Sequence, residues 1–356
     1  MIELTLEYTN KNEETKTEEF DEDELTLDLS KRGIISIDLA QLKEVPELEV
    51  LDLSRNAFTQ IDLGPLGNLK DLNSLNLFKN ELTQLDLSPL SKCSALQELN
   101  LGTNALQDID LTPLSGCSDL RRLRLFNNQI SEVDLKPLST CSNLESLELE
   151  TNQIESIDLS PLEGCPNLSQ LNLMYNALTS VDLSPLVYAT GLKFLYLHQN
   201  QLQEIDLTPL SGMTSFRILR LGGNEIESIE LDALKECLDL RRLELAMNQI
   251  SEINLEPLAD CRELRALDIA GNYLTHIDLE PLSSCSALEE LYLFSDHPHD
   301  NTFDSIDFTP LLGCKDLEDV GIGESTTISI SKPRKRVKDL PLAIEELDDD
   351  GRIDWQ

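Results

Sequence analysis

From Glu24 onward the chain orders its apolar and polar positions in a pattern that returns every 24 residues. Most units open on leucines at positions 1, 4 and 6, as in Leu96, Leu99 and Leu101, and most place a polar residue between the last two. That period of two predicts a short strand buried on one face. Position 9 is asparagine in ten units, from Asn56 to Asn272, while Arg32 and Asp296 stand there in the first and last, where a ladder of such residues is expected to end. A sharp inward turn leaves backbone groups in need of partners, and an amide offers both donor and acceptor. Ser or Thr before Pro, as in Thr112-Pro113 and Ser160-Pro161, predicts a helix N-cap followed by proline at the first helical position. Few residues remain before the next strand, so a short helical turn is all that fits. Eleven such units fill 24–287, and a twelfth, 288–316, carries five extra residues. One unit cannot cover its own leucines; a stack of them makes a continuous core.

The common form, LxxLxLxxNxLxxIDLxPLxxCxx, resembles the leucine-rich repeat superfamily, in its intracellular 24-residue type, across residues 24–316. The resemblance implies an α/β leucine-rich-repeat solenoid, a curved right-handed superhelix. One parallel β-sheet would form its concave face, with short helical turns and loops on the convex face. Residues 1–23 are expected as an N-terminal cap, with "IELTLEYT" a strand and "NKNEETKTEEFDEDE" a polar connection. Residues 317–356 are expected as a C-terminal cap and tail. There Leu317, Val320 and Ile322 keep the repeat register, and Leu340, Ile344, Leu347 and Trp355 either dock on the last unit or stay loose.

Composition narrows the function. Sixty-six acidic residues against 28 basic give a net charge of −38, which argues against a nucleic-acid backbone and an anionic membrane as partners. No apolar run approaches a membrane helix, and charge from Glu3 onward is unlike a secretory signal, so a cytoplasmic location with reduced thiols is expected. All eight cysteines fall at position 22, a column shared with Val45, Leu69, Ala189 and Met213, and read as small core residues. Position 15 is acidic in all units but one, where Asn254 stands. These carboxylates are read as acceptors for amides at the start of the helical turn. A calcium ladder is the sharper alternative, but the Gly-Asp alternation of calcium repeats is missing. His297 and His299, in "DHPHDNTFD", are read as part of an exposed loop with no metal. "KPRKRVK", 332–338, is read as local charge complementation in preference to an import signal. No nucleophile–base pair or phosphate loop stands outside the repeat consensus, so no enzyme activity and no cofactor are expected.

With the core columns assigned, function falls to positions 3, 5 and 7, which point to the inner face. Aromatics and arginines concentrate there. The expected partner-binding residues are Arg122, Arg124, Tyr175, Phe194, Tyr196, His198, Arg220 and Arg242. Phe78, Phe126 and Phe294 at position 7 either face a ligand or fold over the core edge. The reading is a monomeric scaffold or adaptor for a protein partner, without nucleic acid or membrane. The alternative is a regulator of a phosphatase or small GTPase, as some similar leucine-rich-repeat proteins are.

Overall fold

Three residues of strand, a tight turn and one turn of 3-10 helix recur once per 24 residues. The computed structural model describes residues 3–295 and 299–356. The chain forms two compact units, one reaching to Ala177 with Tyr188–Thr190, the other Leu178–Val187 with Gly191–Gln356.

The first unit opens on an antiparallel sheet of β1 (Glu3–Asn10), β2 (Thr15–Asp21) and β4 (Ile34–Ile37), in the order β2-β1-β4. Its repeat strands are β3 (Thr26–Asp28), β5 (Val50–Asp52), β6 (Ser74–Asn76), β7 (Glu98–Asn100), β8 (Arg122–Arg124), β9 (Ser146–Glu148) and β10 (Gln170–Asn172). They pair in parallel with identical repeat positions opposite one another, so the leucines from Leu27 to Leu171 form one buried row. The second unit repeats this with β11 (Phe194–Tyr196), β12 (Ile218–Arg220), β13 (Arg242–Glu244), β14 (Ala266–Asp268), β15 (Glu290–Tyr292) and, past β16 (Ser305–Asp307), β17 (Asp319–Gly321). A small parallel sheet of β16, β18 (Thr327–Ile330) and β19 (Ile353–Trp355) closes it.

The acidic stretch read as a connection contains β2. Asn10 Oδ1 accepts the amides of Asn12 and Glu14, closing a turn that pairs Thr15–Asp21 with β1. Phe20 is buried while most of the strand is exposed, so one apolar residue carries the inward face and the charged face hid the strand. The tail docks. Helix α1 (Leu342–Asp349) buries Ala343 and Ile344, Trp355 Nε1 donates to Asp348, and Arg334 pairs with the same carboxylate at 2.6 Å. Part of the basic segment is thereby neutralised locally.

The turn after each strand depends on two positions. Position 8 is left-handed in eleven units, from Lys31 to Gly271, although only two of those residues are glycine. Position 9 then turns its amide into the core. Asn128 Nδ2 donates to Leu101 O at 3.1 Å and Leu125 O at 2.9 Å, while its Oδ1 accepts Leu106 N–H at 3.1 Å. One side chain thus satisfies three backbone groups drawn from two neighbouring coils. The same set recurs at Asn80, Asn104, Asn152 and Asn176 in this unit and at Asn224, Asn248 and Asn272 in the second. The expectation that the ladder stops before the last unit fails. Asn301 donates to Ile269 O and Leu293 O and accepts Leu274 N–H, so the five extra residues precede the ladder residue and position 9 of the twelfth unit is Asn301. Asp296 lies outside the described residues.

On the other side of ten of the twelve coils a position-15 aspartate caps the 3-10 turn. Asp110 Oδ1 accepts Thr112 N–H at 2.8 Å, and Asp86, Asp158 and Asp206 do the same for Ser88, Ser160 and Thr208. Hydrogen bonds from the hydroxyl and amide two residues ahead hold these four carboxyls below the usual carboxylate range. The Ser or Thr is itself inside the turn, with no side-chain cap from the residue before it. The expected N-cap is therefore displaced to the aspartate.

All eight cysteines are free and buried. Their thiols donate to leucine carbonyls one coil back, as Cys93 does to Leu66 O at 3.5 Å, and burial pushes them up to about 11 or 12.

Two measurements check this architecture. Asn128→Ala strands three buried backbone groups at about 1–3 kcal/mol each, so urea unfolding should show a loss of about 3 kcal/mol or more. Asn143→Ala, which removes only exposed bonds, should stay within about 0.5 kcal/mol of wild type. Alkylation at pH 8 should leave the native thiols unlabelled and label all eight once the chain is denatured; rapid labelling of the native protein would contradict the burial.

Candidate partner-binding face

Strands β11, β12 and β13 set their inner residues in rows. Phe194 lies opposite Ile218 and Ile218 opposite Arg242; Tyr196 lies opposite Arg220 and Arg220 opposite Glu244. Because alternate residues of a strand share a face, Phe194, Tyr196 and His198 follow one another along a single edge of the row. The rings of Phe194 and Tyr196 are parallel to within 2°, with centroids 6.4 Å apart, and His198 meets Tyr196 edge-on, also at 6.4 Å. The Arg220 guanidinium sits 5.7 Å from the centre of the Tyr196 ring, within cation–π range. All these side chains are half-buried. Burial, aided by Arg220, pushes the His198 imidazole down to about 4, so it is neutral at pH 7. Burial also raises the Tyr196 phenol.

The arginines do not stand as free charge. Arg220 Nε lies 3.1 Å from Glu244 Oε2, at an angle outside hydrogen-bond geometry. Arg242 bridges Glu244 at 3.2 Å and Glu290 at 3.0 Å. The second unit thus places Phe194, Tyr196, His198, Arg220 and Arg242 together, with two glutamates balancing the two arginines. In the first unit Arg122 bonds Glu98, and Arg124 lies 3.1 Å from Glu148 and 3.8 Å from Glu98. Tyr175 belongs to that unit, at 51 % exposure. Sequence reasoning missed the glutamates. The signal was present, since Arg124 and Glu148 share a column one period apart, and such residues are cross-strand neighbours.

Phe78 and Phe126, also in the first unit, pack with centroids 5.8 Å apart and remain half-buried. Gly102 lies between their units, and a Cβ there would come within 2.5 Å of the Phe126 ring. The glycine makes room for the pair, which covers the rim. Among the described residues no group of His, Cys, Asp and Glu is arranged to hold a metal ion. His297 lies outside those residues, and His299 packs its ring 6.0 Å from Tyr273.

Glu150, just past β9, is a further inner-face residue that the sequence did not single out. Its Oε2 is enclosed without a hydrogen bond, and burial, reinforced by Glu148, pushes the carboxyl up to about 7 against the lowering effect of its backbone and Arg124.

The sequence matches the leucine rich repeat model over 26–82, 71–130, 118–178, 142–202, 190–250 and 238–297. A search of curated proteins finds no match. Among solved structures, the chain is similar to a leucine-rich-repeat protein of Leptospira interrogans, at 21% identity over 93% of this chain and 83% of that one, with a TM-score of 0.76. An internalin, InlF of Listeria monocytogenes, is 28% identical over 84% of this chain and 87% of its own, with a TM-score of 0.63. The functional domain of InlJ from the same organism, described as including a cysteine ladder, is 21% identical over 86% and 68%, at 0.64. No helix among the described residues is long and apolar enough to cross a membrane.

Glu150 yields a pH test. Its folded carboxyl is raised above the unfolded value, so folding favours the protonated form. Stability should fall as pH rises from about 4.5, the ordinary carboxylate value, to about 7, and stay lowered above that. Glu150→Gln should match wild type at pH 4 and exceed it at pH 8. After allowance for solvent screening the gain is on the order of 1–2 kcal/mol. Parallel pH–stability curves for the two proteins would refute the shift.

Proposed function

The chain belongs to the leucine-rich repeat family, whose fold is commonly a protein–protein interaction module, and from that premise we propose a non-enzymatic scaffold or adaptor. It holds a protein partner on the inner face of its sheet, and in the second unit the contact centres on Phe194, Tyr196 and His198 with Arg220 and Arg242. The observation that carries this reading is the aromatic row. Three rings on alternate residues along β11 and just past its end, half-exposed and uncharged at neutral pH, offer large area with few rotatable bonds. Elsewhere in this unit the corresponding positions are mostly short or acidic, as at Ala266, Asp268 and Ala270. The ion-paired arginines form a polar border that orients a partner; a partner carboxylate would have to compete with Glu244 for Arg220. The free thiols support action in a reducing compartment such as the cytoplasm.

The test is affinity for a partner recovered by pull-down. Phe194→Ala and Tyr196→Ala should each weaken binding by about 2 kcal/mol, some thirtyfold, with circular dichroism unchanged. Glu204→Ala, an exposed change outside the strands, should bind as wild type. Two aromatic variants that fold and bind normally would move the contact elsewhere.

A further inference from the structure

The first unit carries a second charged feature that neither the core nor the aromatic row accounts for. Position 8 reads Lys31, Arg55 and Lys79 in three successive coils, and all three side chains are exposed. Their backbones are left-handed, at φ of 58°, 56° and 57°, a conformation that glycine or asparagine adopts more easily. The same column holds Asn127, and in the second unit Gly223 and Gly271, so the turn itself asks for no cation. The three amides are pinned to the next coil, at Ser54 O, Phe78 O and Gly102 O, over 2.7–3.0 Å. Parallel coils therefore hold the three residues in a row at intervals of about 5 Å.

Close ion pairs are missing at this row among the described residues. Arg121, Arg122 and Arg124 of the same unit each meet a glutamate, yet among the described residues no carboxylate comes within 4.0 Å of Lys31, Arg55 or Lys79. Asp28 and Asp52 are engaged by the amides of Ser30 and Ser54, and Asp52 also by Asn76; Ser30 first, then Arg32 and Lys31, hold Asp28 below the usual carboxylate range. Beside the row lies the Phe78–Phe126 pair, and Arg55 stacks 5.3 Å from the Phe78 ring centre. A basic row without close ion pairs thus stands next to half-exposed aromatic rings on a chain of net charge −38.

We propose that Lys31, Arg55 and Lys79, with Phe78 and Phe126, dock an extended acidic polypeptide segment that carries apolar side chains between its carboxylates. An extended chain repeats its same-side side chains about every 6.8 Å. The row spans roughly 10 Å, so two alternate carboxylates meet the three cations while the apolar residues reach the rings. Charge complementarity selects the partner and speeds its arrival, and the surrounding acidic surface rejects sequences that lack a matching basic site. All five residues belong to the first unit, and none is part of the aromatic row of the second.

The probe is a fluorescein-labelled peptide of alternating glutamate and phenylalanine, followed by anisotropy against the full chain. A second peptide has glutamine at every glutamate. The acidic peptide should bind, should weaken with added salt, and should outcompete the glutamine peptide by about tenfold or more. The triple change Lys31→Asn, Arg55→Asn, Lys79→Asn uses a residue suited to the left-handed turn and should weaken the acidic peptide by a similar factor. Phe126→Ala should weaken both peptides. Tyr196→Ala should leave peptide affinity as it is, so this surface and the aromatic row fail independently. Equal binding of the two peptides, or an unaltered triple variant, would overturn the proposal. So would tighter binding to vesicles containing phosphatidylserine than to the peptide, which would make the row a lipid contact. Self-association of the wild type that the triple variant lacks would likewise overturn it in favour of a second copy of the chain.

Discussion

The buried asparagine after each strand is the interaction on which every other position depends. Stacked coils leave the carbonyls at position 6 and the amide at position 11 facing inward, where water cannot reach them. An unpaired buried backbone group costs about 1–3 kcal/mol, and each coil would present several. The asparagine amide answers them with one neutral side chain, and because it reaches carbonyls in its own coil and the one before, it also fixes their register. A charged side chain of similar reach would carry a heavy desolvation penalty there. Register in turn brings like positions of neighbouring strands side by side, which is why Tyr196, in an aromatic row spaced by two, meets Arg220 one period on.

Side chains that suggest chemistry in isolation serve as wall in this fold. The aspartates are held by amides and hydroxyls at the start of each 3-10 turn, and the cysteines sit among leucines with their protons directed at carbonyls. Two sets of reactive groups are thereby made unreactive by one geometric repeat. The inner face differs because its side chains stand outside the core, most of them half-exposed, even where they bond within their own coil.

Much of this was legible because the period is long and strict. The leucine columns, the cysteine column and the capping role of the aspartates all follow from which residues share a repeat position. Three elements did not follow. Asn301 was displaced by five extra residues, so counting put an aspartate where the core holds an amide. β2 was disguised because a strand with one buried residue and a charged outer face lacks the alternation that marks strands. The inner ion pairs were overlooked although Arg124 and Glu148 share a column one period apart; the Arg242–Glu290 pair, 48 residues apart, skips a strand and shows no such one-period signal. The site was less legible than the fold for the same reason: burial follows from a column, whereas binding depends on which unlike side chains meet across columns.

The twelfth coil shows where such a chain can lengthen. Its extra residues enter between positions 8 and 9, and Asn301 still makes the bonds of its counterparts in other coils. Those bonds run to leucine and isoleucine carbonyls, none of which belongs to the added segment. Of that segment Asp300 ties back to the preceding coil, accepting Gly271 N–H at 2.8 Å, so sequence added ahead of the asparagine leaves both the ladder bonds and the strand pairing in place. A lineage of such proteins can acquire new surface loops at this point, one coil at a time, without redesigning what lies beneath.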